Sequence, residues 1–117
     1  MSTTTPAEAE GLLTAFCEPN RLRLLALLLD GETCVCDLTT ALQAPQPTVS
    51  RHLARLRRSG WVTVRKSGLW SWYALAPATG RVHEGLLATL ASCREEIPDL
   101  VATRQRCQRA RAGRNCC

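Results

Sequence analysis

The chain has 117 residues, with 15 Lys and Arg against 10 Asp and Glu, for a net charge of +5. That length gives one domain with a small core, and no run of 18 apolar residues exists to cross a membrane. Hydrophobic residues make up 45% but aromatics only 4%. The apolar mass is therefore Leu, Ala and Val, which argues against an all-β sandwich or barrel. Glu8, Glu10 and Glu18 replace the basic start of a secretory signal, so a cytoplasmic address is expected. The anomaly is seven cysteines, an odd number in a compartment that disfavours disulfides.

In chain order, residues 6–17 read as a first helix with Leu12, Leu13 and Phe16 as its apolar positions. Asn20 is the expected cap of a second helix, apolar nearly all round at Leu24, Leu25, Leu27, Leu28 and Leu29 and closed by Asp30-Gly31. Cys36 to Leu42 predicts a third helix of about two turns. Ala44-Pro45 breaks the chain, and a fourth helix opens at Gln46-Pro47-Thr48 and runs to Ser59-Gly60. Val49, Leu53 and Leu56 share one face of it, and Arg51, Arg55 and Arg58 share the other.

The period then changes. Trp61–Arg65 and Leu69–Leu75 read as strands joined by a Lys66-Ser67-Gly68 turn. A fifth helix is expected from Pro77 to about Arg94, and a sixth from Pro98 to about Arg109. Residues 110–117 are expected to be a flexible, cysteine-containing tail. The fold class is mainly α with a small β-hairpin, a winged helix-turn-helix of order α-α-α-α-β-β-α-α within residues 1–109. Its terminal helices bury little internally, so they are expected to pair across a two-fold axis into a homodimer.

Charge and cysteine position point to chemistry. Leu38 to His83 holds no acid but contains Arg51, Arg55, Arg57, Arg58, Arg65, Lys66 and Arg81. One sign over a helix-turn-helix and hairpin is an electrostatic footprint for double-stranded DNA. Cys34 and Cys36, at i and i+2 in the approach to a helix N-terminus, place both sulfurs on one side where thiolate is favoured. Two such thiolates suit a soft, thiophilic centre; neither the spacing of a zinc site nor the C-x-x-C of a redox site is present. Cys17 and Cys93 read as small buried hydrophobes.

Cys34-Val35-Cys36-Asp37-Leu38, Gln46 to Leu53, Leu56-Arg57-Arg58-Ser59-Gly60 and Glu18 to Leu25 together resemble the arsenic-responsive repressors of the ArsR/SmtB family. The resemblance implies a homodimeric repressor, not an enzyme, that leaves operator DNA when As(III), or Sb(III), binds the cysteines; no cofactor is permanently bound. It implies that Gln46, Thr48, Ser50 and Arg51 read bases while Arg55, Arg58, Arg65 and Lys66 contact phosphate. The family's third cysteine is here Thr39, and trivalent arsenic takes three thiolates. The third position is open to Cys17, Cys93, Cys107, Cys116 or Cys117, or to an oxygen. A methylarsenite sensor, needing two thiolates, and a thiol-redox repressor of the same fold are the alternatives. Arg81 and His83 stand where related zinc sensors begin their fifth-helix site, but no second histidine follows.

Overall fold

The structure is a computed structural model that describes residues 4–113. Helix α1 spans Pro6–Thr14; Thr5 caps it, its Oγ1 accepting the Glu8 amide at 3.2 Å. Ala15–Cys17 then tightens into a 3-10 turn rather than prolonging the helix. Helix α2, Pro19–Leu28, is capped by Glu18, not Asn20: the Glu18 carboxylate accepts the Arg21 amide at 2.8 Å. Pro19, with its fixed φ and no amide to satisfy, takes the first helical position and moves the cap two residues upstream. Leu24 to Leu28 are all buried, so α2 is the central strut that its sequence predicts.

A two-residue strand β1, Thr33–Cys34, follows, then α3 (Val35–Leu42) and α4 (Gln46–Arg58). The turn between the helices begins at Gln43 with φ 54°, a left-handed conformation without glycine, at a cost of about 1 kcal/mol. Val49, Leu53 and Leu56 point α4 into the core, and Arg51, Arg55, Arg57 and Arg58 stay exposed. Strands β2 (Val62–Ser67) and β3 (Trp70–Leu75) form the hairpin. Its turn is Gly68-Leu69, one residue later than the spacing predicts, because Ser67 still pairs with Trp70. Gly68 has φ 62° while Leu69 keeps a negative φ, the pattern of a two-residue turn whose first position demands glycine. The sheet has three strands rather than two, in the order β1-β3-β2, all antiparallel.

Helix α5 covers Arg81–Glu96 and starts four residues later than expected, at a Gly80 cap. Pro77 to Gly80 stay outside it because the Thr79 amide donates to His83 Nδ1 at 3.3 Å. Helix α6, Pro98–Gly113, extends four residues past its predicted end. Its inner face, Leu100, Thr103 and Cys107, is buried, and Arg106 Nε donates to the Ala41 carbonyl of α3 at 2.8 Å. Asp30, at the foot of α2, accepts from Arg94 of α5 at 2.9 Å and Arg104 of α6 at 2.8 Å. Burial opposes ionisation of Asp30, but the two guanidiniums outweigh it and hold its carboxyl below the usual range. No described helix is long and apolar enough to cross a membrane.

His83 is 1% exposed and meets Trp61 edge-on at 4.7 Å, with no hydrogen-bond partner for Nε2. Burial lowers its pKa below the ordinary 6.5. The unfolded chain therefore binds the proton more readily, and stability falls as pH drops below that ordinary value. Urea midpoints measured from roughly pH 7.5 to 5 should show this loss, and His83→Phe should flatten it.

Candidate functional site

The chemistry-bearing residues collect where β1 runs into α3. Cys34 is the second residue of β1 and also the residue that caps α3, with φ −69° and ψ 143°, and it is fully buried. Cys36 lies in the first turn of α3 and is half-buried. The extended backbone at Cys34 followed by helix brings the two Sγ atoms to 3.2 Å, within one sulfur–sulfur hydrogen bond. Two sulfurs this close can both bond one soft atom, and Cys36 is partly exposed.

The other candidate donors among the described residues lie on other elements. Cys17 is exposed, Cys93 is half-buried on α5, and Cys107 is buried on the α6 face that lies along α3. Cys107 sits between Arg106, bonded to Ala41, and Arg111, whose Nη2 donates to Thr33 Oγ1 beside Cys34. Cys116 and Cys117 lie outside the described residues. Thr39 turns back on its own helix, its Oγ1 donating to the Val35 carbonyl at 2.8 Å. Among the described residues no group of three His, Cys, Asp or Glu side chains is gathered as a metal site. His83 packs edge-on against Trp61.

The second constellation is the cationic face. Gln46, Arg51, Arg55, Arg58 and Lys66 are exposed, and Thr48 and Ser50 are half-exposed at the start of α4. Gln46 Nε2 donates to Ser50 Oγ at 2.6 Å, so these two polar groups hold each other in place. Arg65 differs from the others. Its guanidinium forks onto Glu32, Nη2 to Oε1 at 2.7 Å and Nε to Oε2 at 3.1 Å, and it lies 5.6 Å from the Trp72 ring centre. The hydrogen bonds from Arg65 hold the Glu32 carboxyl below the usual range. Arg65 and Lys66 lie within β2; the hairpin tip itself is Gly68 and Leu69. Sequence reasoning missed β1 and Glu32. The signal available was an acid two residues before Cys34, just ahead of the acid-free block.

The sequence profile described as "Bacterial regulatory protein, arsR family" matches residues 18–64. An uncharacterised HTH-type transcriptional regulator of Methanocaldococcus jannaschii is 43% identical over 67 residues, covering 56% of this chain and 75% of that protein. The chain belongs to the arsR family. Within the family it is 49% identical over 67 residues to the arsenical resistance operon repressor of Escherichia coli, covering 56% of this chain. The match spans 57% of that repressor's length. Among solved structures, HlyU from Vibrio cholerae superposes with a TM-score of 0.66 at 33% identity, covering 78% of this chain and 92% of that one. The winged helix-turn-helix architecture is thus shared with this arsR-family chain, and the profile match takes in α2, the thiol pair, α3, α4 and the start of the hairpin.

Proposed function

We propose that the chain is a transcriptional repressor that binds operator DNA as a homodimer and lets go when trivalent arsenic binds Cys34 and Cys36. The observation that carries this reading is the pair of sulfurs 3.2 Å apart at the start of α3, a helix whose core face packs with that of α4. The E. coli relative's role in arsenical resistance supports the same inducer. On α4, Gln46, Thr48, Ser50 and Arg51 supply base-reading groups, while Arg55 and Arg58 of α4 and Lys66 of β2 supply phosphate contacts. Exposed Leu13 on α1 and Val82 on α5, 48% and 41% accessible, offer apolar surface for a second copy.

Ligand binding replaces the contact between the Cys34 sulfur, on β1, and the Cys36 sulfur, on α3, with bonds to one atom seated between the two elements. The first turn of α3 distorts, and α4 tilts with it, spoiling the match of two reading heads to two half-sites. Inorganic arsenite then needs a third thiolate, from Cys93, Cys107, Cys116 or Cys117, or accepts an oxygen. Two thiolates meeting without a third among the described residues also favour a second reading, a methylarsenite sensor. Antimonite fits the same donors.

The test is a mobility assay on promoter DNA adjoining the gene, under strong reductant, titrated with arsenite and separately with methylarsenite. Release by arsenite, with operator affinity falling about a hundredfold, supports the first reading. Release by methylarsenite alone selects the second. A complex that ignores both and dissociates only when reductant is replaced by oxidant sinks both in favour of a thiol-redox switch.

A further inference from the structure

One exposed cation of the wing is paired with an acid of the same chain. Arg65 holds both Glu32 oxygens and lies over Trp72. Across the sheet, Cys34 is the partner of Trp72, and Trp72 is the partner of Arg65. Residues directly opposite in antiparallel strands present side chains to the same face. A thiol of the site, an indole and the arginine therefore stand in one rank across three strands. Glu32, two residues before Cys34 in the extended approach to β1, closes the rank by reaching back to Arg65.

We propose that Glu32 and Arg65 are positioning residues that carry occupancy of the Cys34–Cys36 pair into the wing, an inference that rests on that pair being the inducer site. Cys34 belongs to β1 and Cys36 to α3, so a centre that replaces their sulfur–sulfur contact with bonds of its own and takes a further donor shifts β1 against the helix. The β1–β3 ladder is two residues long, too short to transmit that displacement firmly. The bidentate fork fixes distance and angle together, so β2 follows β1. Exposed ion pairs contribute little to stability. Cutting this one therefore leaves the fold intact and removes the linkage.

An ordinary phosphate contact at Arg65 predicts something different: weaker DNA binding and a shallower salt dependence, with no role for Glu32. The experiment compares Glu32→Gln, Arg65→Gln, the double variant, and the exchanged pair Glu32→Arg with Arg65→Glu. Operator affinity is measured with and without arsenite, alongside arsenite affinity and the salt dependence of the ligand-free complex. Each single variant should cut the arsenite-induced drop several-fold, from about a hundredfold to about thirtyfold or less. The double variant should be no worse than either single, and the exchanged pair should recover most of the drop. Arsenite affinity should stay at wild type in all four variants, and the salt slope should stay at wild type in Glu32→Gln. An undiminished drop in both singles overturns the proposal, as does a salt slope lowered by about one in Arg65→Gln with Glu32→Gln silent.

If wild type ignores arsenite, the inducer reading falls, and the link is judged with phenylarsine oxide, which clamps two neighbouring thiols. Hydrogen exchange at the amides of residues 64–66 should then change in wild type and not in Glu32→Gln. The same change in both proteins, or none in either, overturns the link.

Discussion

Serine at both Cys34 and Cys36 should leave operator binding near wild type and abolish its loss on adding arsenite, a difference of about a hundredfold in affinity at saturating ligand. A hydroxyl cannot replace a thiolate toward a soft centre, so both donors disappear at once. The variant should nevertheless fold. Cys34 occupies the cap position of α3 and makes no side-chain capping bond to it, whereas serine is among the preferred capping residues. A capping bond worth about 0.5–2 kcal/mol offsets the cost of burying a hydroxyl there. The half-buried Cys36 position tolerates serine more easily still. The measurement is a paired mobility and arsenite-binding titration, with Cys17→Ser as a control that changes neither. Retained release in the double serine variant would place the inducer site elsewhere.

The largest stability effect should come from Trp61→Ala, about 3–5 kcal/mol by denaturant unfolding. That is a large share of the total stability of a domain this size. Trp61 is fully buried at the junction of α4 and β2. Its ring stacks on Phe16 at 5.6 Å and takes the edge of His83 at 4.7 Å, and its Nε1 donates to the Leu12 carbonyl at 2.9 Å. Truncation leaves a cavity between α1, α4 and α5 and strips the Leu12 carbonyl of that bond. Trp61→Phe separates the two contributions, because it keeps most of the packing and loses only the hydrogen bond. A loss below about 1 kcal/mol for Trp61→Ala would mean that the surrounding helices collapse onto the gap.

Helices whose apolar positions repeat in register were legible in the sequence. The leucines of α2 and the Val49, Leu53, Leu56 stripe of α4 left one solution for which face goes inward. The thiol pair was legible too, since two residues of extended chain before a helix bring i and i+2 together. What the sequence hid were contacts set by distant partners. β1 is too short to carry a period of its own, and exists because Thr33 and Cys34 meet Tyr73 and Trp72. The last turn of α6 has no apolar stripe to announce it, and is held by Arg111 reaching Thr33. The pairing of Arg65 with Glu32 was hidden because charge runs say nothing about an acid that folding brings beside them. The helix starts at Pro19 and Arg81 shifted because a glutamate cap and a histidine acceptor claimed backbone amides that composition alone does not allocate.

The brevity of β1 also has a kinetic side. Thr33 and Tyr73 meet across a loop of about forty residues. The intervening helices and the hairpin are local structures that form quickly, whereas closure of that loop waits until they have docked. On contact order alone, Cys34 should dock against Trp72 after α4 and the hairpin have formed. A nascent or partly unfolded chain carries the same two cysteines without the geometry that would make them answer to a ligand together.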